Sequence, residues 1–342
     1  MKRWLALPGL LLMACGSGQG PQIAPGEALF VTTSTGHAVV QARTGHTIAS
    51  LPPGPLAVGL TSGADVAEAW LVTPGGAGER LLRLRASHAF AAEEVASEPV
   101  PGPAQAALVP APQLTSFSGV KTVLVVRYGD GRLVGYQNGT LIWRRPPGTA
   151  DDLRWTEAAA FAHDPSGWQE VKPETGDLAA PLPVDCEPVG AVGNDVARLC
   201  SGRLEFRGKS VGARAARPWS ASTYDGGAIL GWKDGGVARL PVSGAAVFGQ
   251  TPAMLAPPAA AGDLDQAYLL ESADELTRAA LSQNKTGYFA TPRAAAAVGV
   301  SRDGNFVYAL GGGRLEVFRT SDGHLWGDFA AEGTAIEFVA GG

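Results

Sequence analysis

The side chains that could do chemistry in this 342-residue chain are sparse and scattered. Its five histidines are His37, His46, His88, His163 and His324, and none falls in an HxH or HExxH spacing that would point two rings at one metal ion. His46 and His324 each follow a glycine at the same place in a turn, which a structural role in that hairpin explains. Asp130, Asp225, Asp234, Asp303 and Asp322 all stand beside glycine, where a carboxylate caps its own backbone. Asp151 with Asp152, and Asp263 with Asp265, are the tight acidic pairs, able at most to hold Ca²⁺ weakly through oxygen ligands. Ser118 to Lys121 and Ser282 to Lys285 match SxxK, and Lys285-Thr286-Gly287 matches KTG, but the Ser-Asp-Asn element that acyl-serine chemistry also requires is missing. Gly208-Lys209-Ser210 resembles the end of a phosphate loop, yet Arg203 stands where that loop needs glycine. No catalytic residue, metal site or cofactor is assigned on this reading.

The aromatic residues are better candidates for recognition. Trp143 and Trp326 occupy one position of a repeated phrase and read as core. Trp155, Trp168, Trp219 and Trp232 cluster near turns in the middle of the chain. An aromatic surface there would suit a carbohydrate or a peptide. Packing between structural units is the other reading of each.

The N-terminus carries the parts of an export signal. Lys2 and Arg3 precede an apolar run, Leu5 to Leu12, far shorter than the ~20 residues of a membrane span. Leu12-Met13-Ala14-Cys15 resembles the lipobox of bacterial lipoproteins. That resemblance implies cleavage of residues 1–14, lipidation of Cys15 and a membrane anchor made of two or three acyl chains. Residues 15–25, Cys15 followed by Gly16-Ser17-Gly18, read as the lipidated cysteine and a flexible tether, and residues 26–342 as the folded part. The remaining cysteines, Cys186 and Cys200, would then face an oxidising compartment and form a disulfide, two buried free thiols being the alternative.

Composition points to many short strands. Gly (46) and Pro (25) make up about a fifth of the chain, apolar residues 45% and charged residues only 17%. The net charge of −5, becoming −7 once Lys2 and Arg3 leave, argues against nucleic acid or anionic lipid as a partner.

The strands repeat. Residues 298–326 read as strand, Asp303-Gly304 turn, alternating strand Phe306 to Leu310, glycine turn, strand Leu315 to Arg319, Asp322-Gly323 turn and a last strand. Asp-Gly between alternating runs is a strong hairpin signal. Copies recur at 28–51 and 122–144, with looser ones at 66–95, 158–180, 195–213, 227–248 and 266–290. Placing the third strand of each unit near Val39, Leu82, Val134, Gln169, Leu204, Ala238, Arg278 and Leu315 gives steps of 34 to 52 residues. That period predicts an all-β fold, a β-propeller of four-stranded antiparallel blades, eight by count, with seven as the other count because the middle copies are faint. Ala335 to Val339 lacks a hairpin partner and is expected to complete the first blade beside Ala28 to Thr33, closing the ring.

Units 122–144 and 298–326 resemble blades of the quinoprotein-like and YVTN-type repeat propellers, with Thr140-Leu-Ile-Trp143 and His324-Leu-Trp326 matching the ending of their phrase. Quinoprotein dehydrogenases hold their cofactor under a ring of adjacent cysteines, which Cys186 and Cys200 are not, so cofactor binding does not carry over. In plan the chain resembles the propeller lipoprotein of the outer-membrane barrel-assembly machinery. The resemblance implies an extracytoplasmic, lipid-anchored, non-enzymatic module at the cell membrane or outer membrane, binding envelope proteins or a small ligand. The alternative is a metal-dependent, lactonase-like hydrolase, which needs Asp, Glu, Asn or His from several blades meeting at one channel mouth.

Overall fold

A computed structural model describes residues 22–340, apart from 24–25, 61–66, 76–77, 88, 97–101, 117–118, 157–158, 193–194, 215, 223–226, 261–264, 281–282 and 284. Cys15, the export signal, most of the tether, His88, Ser118, Asp225, Asp263 and Ser282 therefore lie outside the described residues.

Among the described residues thirty strands form eight antiparallel sheets of three or four strands, lettered A to H below. Sheet A contains β1 (Ala28–Thr33), β2 (Gly36–Gln41) and β3 (Thr47–Leu51), with β30 (Ala335–Ala340) returning from the far end of the chain. Sheet B holds β4 (Leu56–Leu60), β5 (Ala67–Gly75), β6 (Gly78–Ser87) and β7 (Ala89–Ala96). Sheet C holds β8 (Pro103–Ser116), β9 (Gly119–Tyr128), β10 (Leu133–Gln137) and β11 (Thr140–Arg144). Sheet D has three strands, β12 (Asp152–Trp155), β13 (Ala160–Asp164) and β14 (Gly167–Val171). Sheet E follows with β15 (Cys186–Val192), β16 (Asp195–Cys200), β17 (Arg203–Phe206) and β18 (Lys209–Ala213). Sheet F is β19 (Trp219–Ser222), β20 (Ala228–Gly231), β21 (Gly236–Leu240) and β22 (Val247–Gln250). Sheet G again has three, β23 (Gln266–Ser272), β24 (Glu275–Ala280) and β25 (Lys285–Ala290). Sheet H closes the series with β26 (Ala297–Val300), β27 (Phe306–Gly311), β28 (Arg314–Arg319) and β29 (Leu325–Ala330). The ring of small sheets is a β-propeller.

Each of the eight expected third strands lies in a different sheet, Val39 in β2 through to Leu315 in β28. The expectation of four strands throughout fails in sheets D and G, where the missing strand shrinks to a single bridge. Val171 meets Leu178 at the outer edge of D, and Ala259 meets Tyr268 at the inner edge of G. Proline explains the second case, because Pro257 and Pro258 cannot donate to a ladder.

The core lies between consecutive sheets and follows from strand alternation. In β27, Phe306, Tyr308 and Leu310 pack towards sheet A, while Val307 and Ala309 pack towards sheet G. Ile23, expected in the tether, packs into the same cluster as Phe306. The ring closes as anticipated: β1 pairs with β30, Leu29 opposite Val339 and Phe30 opposite Phe338.

A glycine turn recurs at the outer edge of sheets A, D and H. Gly45, Gly176 and Gly323 adopt φ of 70°, 72° and 69°, and each donates its N–H to the carbonyl four residues earlier. Thr44, Thr175 and Asp322 accept the N–H two residues on, from His46, Asp177 and His324. The hairpin role expected of His46 and His324 is thus visible in the geometry. Each glycine also presses on the outermost strand of the preceding sheet, against Phe329, the Trp143 ring and the Phe289 carbonyl respectively. Phe329, rather than Trp326, is therefore the counterpart of Trp143 at this contact. Trp326 instead packs on Phe306 and Phe329 at ring-centroid distances of 5.7 and 6.2 Å.

Candidate functional site at the channel mouth

In an antiparallel sheet of this order the innermost strand starts, and the second strand ends, on one face of the ring. The innermost strands line the central channel. The starts of β8, β12, β15 and β19 therefore share one mouth, and charged and polar side chains from three consecutive sheets, C, D and E, meet there.

Asp152 stands at the centre of this group. Its Oδ1 accepts a hydrogen bond from Gln105 Nε2 at 2.6 Å, and its Oδ2 accepts one from Arg154 Nε at 3.3 Å. Gln105 Oε1 in turn accepts from Arg127 Nε at 2.6 Å and from the Leu153 N–H at 2.8 Å. Arg154 reaches on to sheet E and ion-pairs with Glu187, while its guanidinium lies 4.2 Å over the Trp168 ring. Stacking and two carboxylates hold it rigidly. Arg217 lies in the connection between β18 and β19, just before the start of β19. Its side chain is exposed to solvent. Surrounding protein nevertheless lowers its pKa, chiefly by desolvation and then by repulsion from Arg154, partly offset by Glu187 and Asp152.

The Cys186–Cys200 disulfide forms as expected, joining register partners in β15 and β16. It pins the strand start that carries Glu187, so the covalent link supports the mouth directly.

A second feature lies on the same face, between sheets E and F. Arg214 donates to Asp234 Oδ2 at 2.9 Å and to Gln250 Oε1 at 2.6 Å. Its guanidinium packs over Phe248 and Trp232 at 4.6 and 5.5 Å. An open cavity of about 460 Å³ adjoins it, lined by Gly202, Ala213, Arg214, Ala216, Trp232 and Asp234.

The four candidate tryptophans do not share a surface. Trp168 and Trp232 are buried, the first under Arg154 and the second bonded through Nε1 to the Ala216 carbonyl at 2.7 Å. Trp219 packs beside sheet G with Lys233 Nζ 5.4 Å from its ring. Trp155 is 45% exposed but lies at the far end of β12, towards the opposite face. Trp168, Trp219 and Trp232 serve packing between sheets.

The other candidates resolve individually. Asp130, Asp234, Asp303 and Asp322 each accept the N–H two residues on, as turn carboxylates do. Asp151 bonds His163 Nδ1 at 2.6 Å, the geometry of a base and its orienting carboxylate, but no hydroxyl or thiol among the described residues bonds the ring's other nitrogen. Asp265 pairs with Arg239 at 3.4 Å. His37 Nε2 contacts the Gly54 carbonyl at 3.0 Å. Among the described residues no three His, Cys, Asp or Glu side chains come together to hold a metal ion. The group at the mouth was not found from sequence, because Gln105, Asp152 and Glu187 belong to different sheets. Their shared signal is positional: each is polar at or just before an inner strand, where a buried strand would be apolar.

No protein-family model and no curated protein matches the chain. Solved structures do. Apo AztD from Citrobacter koseri superposes with a TM-score of 0.59 at 12% identity, covering 92% of this chain and 97% of that one. Dihydro-heme d1 dehydrogenase NirN in complex with DHE gives 0.55 at 13%, covering 91% and 75%. The computationally designed Ika8 protein gives 0.52 at 11%, covering 91% and 94%. The likeness is one of fold. Because a computationally designed protein and natural ones match about equally, function must be argued from the side chains of this chain.

Proposed function

We propose that the chain is a lipid-anchored, extracytoplasmic propeller that works as a non-enzymatic binding module in the cell envelope. The observation carrying this reading is the channel-mouth group: side chains from sheets C, D and E are locked into one network of hydrogen bonds and ion pairs. Such a surface is preorganised for recognition, because its side-chain entropy is already spent before a ligand arrives. Its carboxylates serve as ion-pair acceptors, an arrangement suited to holding charge in place. The disulfide supports an oxidising compartment. The export signal and Cys15 supply the route there and the anchor.

Substituting Cys15→Ala tests the location. The variant should lose lipid labelling and leave the membrane fraction while the propeller still folds. Membrane retention without lipid would contradict the anchor. Metal analysis of the purified chain tests the binding reading, and a stoichiometric divalent ion would overturn it in favour of a metalloenzyme.

A further inference from the structure

Between sheets E and F the Arg214 side chain is fixed on every side but one. Its Nη1 donates to Asp234 Oδ2 and its Nη2 to Gln250 Oε1. The Gln250 amide is itself held, because Nε2 donates to the Asp234 and Thr251 carbonyls at 2.7 and 3.1 Å. The guanidinium lies against the Phe248 and Trp232 rings and over Gly236, where a Cβ would stand 2.3 Å from Nη2. This slot leaves Arg214 Nε buried with no partner. An unsatisfied buried donor is unfavourable, so the placing of this guanidinium calls for a reason beyond packing.

The open side faces the cavity of about 460 Å³, which falls within the range of about 300–1,000 Å³ usual for small-molecule sites. Its walls at Gly202, Ala213 and Ala216 carry no polar side chain. The Gly202 carbonyl accepts the Arg214 N–H at 2.6 Å, and the Ala216 carbonyl is taken by Trp232 Nε1. Arg214 and Asp234 are therefore the polar side chains left to meet an occupant. Asp234 is 63% exposed, and its oxygens each accept a single bond, Oδ1 from the Gly236 N–H and Oδ2 from Arg214. Each oxygen keeps a lone pair, and each Nη of Arg214 carries a second N–H.

Charge then selects the ligand. An anion drawn to Arg214 is repelled by Asp234, and a cation drawn to Asp234 is repelled by Arg214. A neutral group that accepts from the guanidinium while donating to the carboxylate satisfies both. Neighbouring hydroxyls do this, since each donates once and also accepts, and they use more of the pair than the single N–H and carbonyl of a peptide group.

We propose that this cavity is a subsite for a neutral saccharide, whose vicinal hydroxyls bridge Arg214 and Asp234 while its ring lies against Ala213 and Ala216. The inference rests on the binding-module reading and names a ligand class for one site on the same face of the ring.

The test uses the full-length chain in a detergent without sugar headgroups and saturation-transfer NMR. The probes are maltose, cellobiose, lactose and chitobiose, with N-methylacetamide and citrate as neutral-amide and anion probes. Transfer to at least one disaccharide is expected, and none to the other two. Asp234→Asn should weaken disaccharide binding by about tenfold or more and admit citrate, because Arg214 then lacks its counter-charge. Ala213→Phe should abolish disaccharide binding by filling the cavity, and it keeps the test open if Asp234→Asn misfolds. Asp322→Asn, which removes a turn carboxylate paired with Arg319 at 2.8 Å in sheet H, should leave binding unchanged. Melting temperatures identify any variant that misfolds. No transfer to any disaccharide, transfer to N-methylacetamide or citrate instead, or unchanged transfer in the folded Asp234→Asn and Ala213→Phe chains overturns the proposal. Disaccharide binding by a chain that also carries a stoichiometric divalent ion would overturn the non-enzymatic reading and leave this subsite standing.

Discussion

Glu27 and Tyr308 stand 281 positions apart in the chain, and the Tyr308 hydroxyl donates to Glu27 Oε1 at 2.7 Å inside the core. The contact ties the first sheet to the last just where β1 and β30 close the ring. Both residues are almost wholly buried.

This pairing makes ring closure sensitive to pH. Burial pushes the Glu27 carboxyl up from 4.5 to about 7, helped by the Asp303 charge and opposed by the Tyr308 hydrogen bond and a backbone bond near Arg302. A carboxyl that holds its proton more tightly in the folded state favours folding fully below pH 4.5, and that contribution is lost as pH rises through about 7. The span corresponds to about 3 kcal/mol. Thermal unfolding should therefore show stability falling from pH 5 to about pH 8, with Glu27→Gln flattening the fall. An unchanged pH profile in that variant would contradict the assignment.

The turn glycines should differ in their tolerance of a side chain. Gly176 and Gly148 share left-handed backbones, with φ of 72° and 76°, but a Cβ on Gly176 would lie 2.5 Å from the Trp143 ring while Gly148 faces open space. Gly148→Ala should cost about 1 kcal/mol from backbone strain alone. Gly176→Ala should cost roughly 2 kcal/mol more, because the buried Trp143 must move. Chemical denaturation of the two variants side by side measures the difference.

The Cys186–Cys200 link closes a loop with a sequence separation of 14. Its contribution in the chain-entropy model is about 3 kcal/mol. Cys186→Ala with Cys200→Ala should lower stability by about that amount, and reduction of the native chain should do the same.

The repeat was legible because turn chemistry is local. Asp303-Gly304 and Asp322-Gly323 announce their hairpins within a few residues, and their carboxylates cap the turns as expected. Strand alternation likewise placed Phe306, Tyr308 and Leu310 on one face. The channel mouth was not legible, because nothing local links Gln105 to Asp152 or Arg154 to Glu187, which lie in different sheets and meet only after the ring forms. Aromatic residues misled for a related reason. Trp168 reads the same in sequence whether it faces a ligand or, as here, lies beneath Arg154.

The central claim is that the face bearing the channel mouth binds something in the envelope. Photo-crosslinking in intact cells, with the reactive group placed at Lys233 on that face or at Trp155 towards the opposite one, tests it most directly. Both positions are exposed, so reach is comparable. Recurrent adducts from position 233 that are absent from position 155 are the predicted result. Equal adducts from both faces, or adducts from position 155 alone, would contradict it.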